Sequence, residues 1–495
     1  MQIEWNRNQE ADGRPVYQQI AAAVRAAIAR DGLGSGTRLP AIRDLARDLG
    51  VHRDTVATAY EALAADGVVE STVGRGTFVV DGETTRAPEV APFAPELSPV
   101  VERLLEFERA RPRFGSARDA VAMHALIPDP SLYPAEPFRR ALNRALSRGG
   151  PELLLYGSPQ GDAALREALA ERLRDAALPI SADELVLCHG ASQGIALALR
   201  LICAPGDAVA LEEPTYNNVL GAALALGLRT APVPMTDGGV DLARLEQTLA
   251  RPDVKAFYTI PTFHNPMGTT TNLAHRHALL ALARRAGVPV IEDGYEMDLR
   301  FAGAPVAPLA GLDTSGVVVH LFSFSKSLFP GARVGAVSAR GRLREALLAL
   351  KHASDLSDAL PLQAALAEFV ACGEYDRHLS RLRRVLRGRR DALLEALAEH
   401  MPEGARWTTP EGGYQVWLEL PGALDTRDLL ADAVTQGVLF APGSQFYSDG
   451  RPSNALRLAF AMAGEDALRR GVERLARVVA AHRANGAPAT GRVPV

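Results

Sequence analysis

Lysine is the residue whose usage stands out. The 495-residue chain carries 54 lysines and arginines together, and the lysines stand only at 255, 326 and 351. Arginine thus meets almost every need for positive charge, and a retained lysine invites a chemical reason. A guanidinium stays protonated. A lysine amine can lose its proton in a desolvated or cationic pocket and form a Schiff base with an aldehyde. Lys326 follows a β-branched run, Val317-Val318-Val319, and a small-residue turn, Ser323-Phe324-Ser325. Ser323 offers a hydroxyl and Arg333 a fixed planar cation, and both suit a phosphate. An aldehyde that bears a phosphate is pyridoxal 5′-phosphate (PLP). A plain surface lysine after a strand is the competing reading, so the rest of the chain must decide.

Further candidates lie at the ends of other apolar runs. Residues 185–188, 208–211, 229–234, 256–260, 288–292 and 317–322 read as strands, with amphipathic Ala/Leu/Arg helices such as 273–286 between most of them. This alternation predicts a mainly parallel sheet covered by helices, with ligands beyond the carboxyl ends of the strands. Ala191 and Ser192 open a helix after the first run, where free amides and the dipole favour phosphate. Tyr216 follows the second run, and its ring suits stacking on a flat cofactor. Asn265 follows the fourth, Asp293 and Tyr295 the fifth, Ser323 and Lys326 the sixth. Asp293 would keep a pyridine nitrogen protonated. Asn265 and Tyr295 would hydrogen-bond the ring oxygen beside the imine. Ser323, Arg333 and the amides of Ala191 and Ser192 would hold the phosphate. Arg457 would clamp a substrate carboxylate. Singly, each has an ordinary reading as a cap, turn or packing residue. In order at successive strand ends, they point to one site. His189 and His264 read as structural histidines.

The elements that must position these residues form three parts. Residues 1–80 read as a winged helix-turn-helix: helices over 14–31, 40–49 and 53–65, then two short strands within 68–80. Val16, Ile20, Val24 and Ile28 mark the inner face of the first helix. Residues 81–114 form a Pro-rich linker with a helix near Val100. Residues 115–495 form an α/β domain, its large part at about 160–375. A smaller α+β part spans about 376–485 with the N-terminal segment, and includes a strand of alternating character at 413–420.

Composition sets the outer limits. Apolar residues make up 47% and charged ones 23%, which are globular values, and the net charge is −4. No apolar run approaches about 18 residues, so no membrane span is expected. The start MQIEWNRNQE lacks the apolar segment of a signal peptide. Cys188, Cys203 and Cys372 show no CxxC spacing, which points to reduced thiols, no metal site and a cytoplasmic setting. Residues 1–80 carry nine arginines against ten acids. Any phosphate footprint there is local: Arg38, Arg43, Arg47, Arg53 and Arg75.

Local motifs are more specific than the layout. Pro15-Val-Tyr-Gln-Gln-Ile, Arg38-Leu-Pro-Ala-Ile-Arg43-Asp-Leu-Ala, Gly50-Val-His-Arg53-Asp-Thr55-Val and Gly74-Arg75-Gly76-Thr77-Phe78 resemble the GntR-type winged helix. The resemblance implies that Arg43, Arg53, Thr55 and Gly76 approach double-stranded DNA. Residues 115–480 resemble a fold-type I, class I/II aminotransferase, through Asp293-x-Tyr295 and Ser323-Phe-Ser-Lys326 with Pro330. Together the two parts resemble the MocR/GabR-type regulators. That resemblance implies a homodimer in which Tyr156, in Leu155-Tyr156-Gly-Ser-Pro-Gln-Gly161, reaches the partner subunit's phosphate. Two positions depart from the pattern. Leu126 stands where the family commonly has Gly, and the wing reads Gly-Arg-Gly rather than Gly-Ser-Gly. The expected function is a PLP-dependent transcriptional regulator that senses a small amine or amino acid. The alternatives are a working aminotransferase and a regulator of vitamin B6 synthesis that senses PLP itself.

Overall fold

The computed structural model describes residues 3, 5, 15–72, 75–80, 95–112, 114 and 119–484. The chain divides into two compact units, Met1–Glu96 and Leu97–Val495.

In the first unit, helices Val16–Arg30, Ile42–Leu49 and Arg53–Ala65 precede an antiparallel pair, Val69–Thr72 and Gly76–Val79. Gly50 adopts a left-handed φ of 65° and ends the second helix. His52 caps the third through the Asp54 amide. Ile20, Val24, Leu45, Val56, Tyr60, Leu63 and Val79 close the core. Val16 departs from its expected inward place and is 42% exposed. It is the first residue of its helix, and that turn extends beyond the core. Residues 73–74 at the wing tip and 81–94 of the Pro-rich stretch lie outside the described residues.

The second unit is built on an eight-stranded sheet. The order is Leu185–Cys188, Gly335–Ser338, Val318–Ser323, Val290–Asp293, Val254–Thr259, Ala208–Glu213, Arg229–Thr236, Gly239–Val240. The six strands expected from sequence run in one direction. Gly335–Ser338 and the edge strand Gly239–Val240 run against them. Alternate side chains enter two cores. Leu187, Ala210, Phe257 and Val290 pack on one face, and Cys188, Leu211, Tyr258 and Ile291 on the other. Both faces are covered, so the strands read as continuous apolar runs.

A second antiparallel sheet orders Arg406–Trp407, Gln415–Glu419, Ala455–Ala459 and Ala441–Pro442. The alternation expected at 413–420 holds in side-chain direction, and both faces are covered. Residues 415–418 are all buried, because Val416 and Leu418 face the main core while Trp417 packs on Phe446. Val121–Ala122 pairs in parallel with Val438–Leu439. Ser98 caps the helix Pro99–Arg109. This helix lies on Asn217–Ala225, where a Cβ on Gly221 would stand 3.3 Å from the Phe107 ring. The compact unit therefore begins at Leu97. Among the described residues, no helix is long and apolar enough to cross a membrane.

Candidate cofactor and effector site

A cavity of about 540 Å³ opens at the carboxyl ends of the parallel strands. Ser323 ends its strand and caps the short helix Phe324–Ser327 by accepting the Ser325 amide at 3.1 Å. That turn carries Lys326 into the cavity, where its Nζ donates to the Leu126 carbonyl at 2.5 Å. Burial pushes the Lys326 ammonium below the ordinary lysine range. Arg457 and Arg333 push the same way, and Glu296 and Asp293 oppose them. Its proton is thus easier to remove than that of an ordinary lysine, which suits an amine that must attack an aldehyde.

The other two lysines have plain roles. Lys255 donates to the Pro252 carbonyl at the surface. Lys351 is fully buried between Asp355 and Asp358, 2.8 Å from each. His189 joins this cluster 3.1 Å from Asp358, and the ammonium is committed to the two carboxylates. His264, the other histidine expected to be structural, lies buried 3.2 Å from Glu212.

Asp293 ends the neighbouring strand. It accepts from the Tyr258 hydroxyl at 2.7 Å and the Tyr295 amide at 3.1 Å. Burial outweighs these bonds and pushes its carboxyl up to about 6. A cationic ring nitrogen would relieve that cost.

The phosphate corner is shaped by backbone. Gly190, at φ 80°, precedes the helix Ala191–Ile202. A Cβ there would lie 3.2 Å from both Arg333 Nη atoms, so the glycine lets the guanidinium close over the helix start. Arg333 donates to the His189 carbonyl at 2.7 Å. Ser325 Oγ is buried with no partner, an unfilled hydroxyl beside this corner. Ala191, Ser192 and Ser323 line the same cavity. An anion-binding helix end, a cation, hydroxyls and an amine together fit PLP.

Arg457 comes from the smaller sheet. It donates to Asn265 Oδ1 at 2.9 Å and to the His124 carbonyl at 2.7 Å. Its Nε is buried without an acceptor, and burial pulls the guanidinium down to about 10. Tyr216 and Tyr295 lie parallel, within 2°, with centroids 6.4 Å apart. Tyr295 Oη accepts from Gln415 Nε2 at 2.9 Å and donates to the Phe263 carbonyl at 3.3 Å.

Ten residues expected from sequence line this one cavity: Lys326, Asp293, Tyr295, Asn265, Tyr216, Ala191, Ser192, Ser323, Arg333 and Arg457. Tyr156 does not. It is 84% exposed in a single chain. Sequence reasoning missed Tyr258, Glu296, Gln415 and Arg111. Glu296 directly follows Tyr295, and burial raises its carboxyl against the opposing pull of the nearby Lys326 ammonium. Its adjacency to the Asp-x-Tyr segment was the available signal. Tyr258 is a hydroxyl-bearing residue inside an apolar strand, which was a weaker one.

In the winged unit, Arg53 and Thr55 stand in the first turn of the third helix, with Arg53 exposed beside Asp54 at 3.5 Å. Arg43 is exposed on the second helix and Arg75 at the wing. Arg47 is occupied by Asp44 at 3.0 Å. Gly76, at φ 117°, leaves room for Arg38, whose Nε would lie 2.8 Å from an added Cβ.

The family profile for aminotransferase class I and II matches residues 130–475. The profile for bacterial regulatory proteins of the gntR family matches residues 16–79. The aromatic-amino-acid aminotransferase 1 of Thermococcus litoralis is 35% identical over 73% of this chain and 88% of its own length. The probable rhizopine catabolism regulatory protein MocR of Rhizobium meliloti is 30% identical over 96% of this chain and 95% of its own. The α-aminoadipate aminotransferase LysN of Thermus thermophilus, solved with N-(5′-phosphopyridoxyl)-L-leucine, superposes with a TM-score of 0.70. It is 31% identical and covers 78% of this chain and 96% of that one. The larger unit therefore belongs to the class I and II aminotransferases, and its cofactor is PLP. With a GntR-type DNA-binding unit ahead of it, the whole chain is a transcriptional regulator of the MocR type.

Proposed function

We propose that this regulator captures a small amine or amino acid at the Lys326 cavity and converts that capture into a change in DNA affinity. The observation that carries the reading is the convergence of Lys326, Asp293 and Arg457 on one cavity, in a chain that also carries a DNA reader. PLP, when bound, supplies an aldehyde that condenses with amines and an electron-withdrawing ring. The chain's residues orient it. Lys326 provides the attachment amine, and Asp293 holds the ring nitrogen's proton. Tyr216 stacks on the ring, and Asn265 and Tyr295 bind its oxygen. Ser323, Arg333 and the amides of Ala191 and Ser192 hold the phosphate. Arg457 takes the effector's carboxylate. Arg43, Arg53, Thr55, Arg75 and Gly76 meet the DNA. The protein acts in the cytoplasm as a homodimer, with Tyr156 entering the partner's phosphate site.

A working aminotransferase is the second reading, favoured by the same complete set of residues. Operator binding measured with and without a panel of amines, beside a turnover assay, separates the two. A ligand that binds one arrangement better shifts operator affinity by about 1–3 kcal/mol, and operator shifts ligand affinity equally. Arg53→Ala costs about 1–3 kcal/mol of operator affinity if it makes a bidentate base contact. Turnover near 1 per second or faster, in order of magnitude, with no amine effect on DNA, would leave the aminotransferase reading in place.

A further inference from the structure

Lys326 sits among groups that disfavour its charge. Burial pushes the proton off Nζ, as do Arg457 and Arg333, while Glu296 and Asp293 hold it on. On the function proposed above, Asp293 is committed to the ring nitrogen, and Glu296 has no role. Yet Glu296 is 1% exposed, and its Oε1 is buried with no hydrogen-bond partner. A buried carboxyl with an unused oxygen is costly to keep and invites a reason.

The chain builds a place for this carboxyl close to the lysine. Glu296 and Lys326 both meet one three-residue span at the head of the strand Gln415–Glu419. Gly413, at φ 71°, stands where a Cβ would collide with Glu296 Oε2. Tyr414 is fully buried and donates its hydroxyl to the Lys326 carbonyl. Gln415 Nε2 donates to Glu296 Oε2 at 3.3 Å and to Tyr295 Oη at 2.9 Å. Among the described residues, Nζ has a single acceptor, the Leu126 carbonyl. An ammonium carries three N–H groups, so Nζ has donors to spare where Glu296 has an acceptor to spare. The other titratable or charged groups around the pair are Asp293, Tyr295, Tyr414, Arg333 and Arg457. Burial keeps both tyrosines protonated, well above the ordinary phenol range.

On the function above, in which Lys326 is the attachment amine, we propose that Glu296 is the positioning residue that keeps Lys326 charged whenever its nitrogen is free, and so favours effector capture. An effector amine enters as an ammonium and takes the place of Nζ. The bond to Nζ breaks, the bond to the effector nitrogen forms, and the hydrogens that the effector nitrogen gives up end on Nζ. The product is a lysine ammonium in a site that otherwise repels one, and the Glu296 carboxylate stabilises it. Without that carboxylate the released amine is neutral and ready to attack again, and capture weakens.

The first test needs no effector. Full-length, PLP-free protein is labelled with trace acetic anhydride across pH, and the peptides carrying Lys326 and Lys255 are quantified by mass spectrometry. The neutral amine is the form that reacts, so the midpoint of each profile reports its proton. Removing a carboxylate that favours the charged form lets the proton go at lower pH. Glu296→Gln should lower the Lys326 midpoint by about 1 unit or more and leave surface Lys255 where it was. Glu296→Asp should restore part of the shift. In the second test, PLP-loaded protein is titrated with methylamine and with L-alanine while the cofactor's absorbance is followed. Glu296→Gln should weaken both about tenfold below the wild-type midpoint. The difference should fade above it, where the released lysine is neutral in both proteins. Melting curves identify a variant that fails to fold. If that is Glu296→Gln, Glu296→Asp decides, with a smaller fall in midpoint expected. An unmoved Lys326 midpoint in a folded variant overturns the proposal. A moved midpoint with unchanged amine affinity at every pH overturns the link to capture. If the wild type answers to no amine, the amine-sensing function falls and takes the capture step with it, whereas the labelling profile still decides where the proton is held.

Discussion

At the scale of the residue, Asp293 shows function set against stability. Its ordinary carboxyl value is 3.8, and burial raises it to about 6. Between those values the folded chain holds a proton that the unfolded chain has lost, so stability falls as pH rises through this window. Above it, the buried carboxylate keeps a cost on the order of 1–3 kcal/mol. Asp293→Asn should therefore raise the melting temperature of PLP-free protein at pH 7.5. That advantage should vanish near pH 4, and the variant should bind PLP more weakly. Thermal melts across pH, with a PLP titration, check all three. A variant that melts below the wild type at pH 7.5 removes the burial argument. Asp293 was legible in sequence because a carboxylate closes an apolar run. Its hydroxyl partner Tyr258 was not, since nothing local says which strand neighbours which. Arg111 was hidden for the same reason: the cavity it joins is assembled from segments far apart in sequence.

At the scale of the element, the site depends on how strands end. Each parallel strand delivers its last residues to one edge, and short turns fix where they point. The glycine before Ala191–Ile202 is one such turn, constrained by its positive φ and its closeness to Arg333. Gly190→Ala should displace the guanidinium and weaken PLP about tenfold or more, while affinity for pyridoxal, which lacks the phosphate, changes little. Paired titrations with the two aldehydes read this directly, and equal losses for both would remove the phosphate-corner assignment. The six parallel strands were legible because a strand covered on both faces is apolar throughout. Gly335–Ser338 was not. Its short Gly-Ala-Val-Ser run carries little β signal, and it is defined by insertion between Leu185–Cys188 and Val318–Ser323. The polar residue inside 413–420 is buried for a separate reason. Gln415 is polar, yet buried at 0% exposure because its amide serves Tyr295 and two backbone carbonyls.

At the scale of the molecule, Leu154, Leu155 and Tyr156 are 72%, 69% and 84% exposed, a run of apolar surface that suits a partner. Wild-type protein should sediment as a dimer. A Leu154→Glu, Leu155→Glu double variant should shift toward monomer and lose PLP affinity, because Tyr156 no longer reaches a second site. A monomeric wild type would remove the homodimer from the reading. A last consequence comes from the cavity wall. The carbonyl of His124 holds Arg457, and the carbonyl of Leu126 holds Lys326. Two grips, one on each cation, thus belong to a single short span of main chain. A ligand bonded at Lys326 Nζ competes with the Leu126 carbonyl, while Arg457 has its unpaired Nε to offer without releasing the His124 carbonyl. Residues 124–126 thus meet both cations of the pocket through main-chain carbonyls and not through side chains.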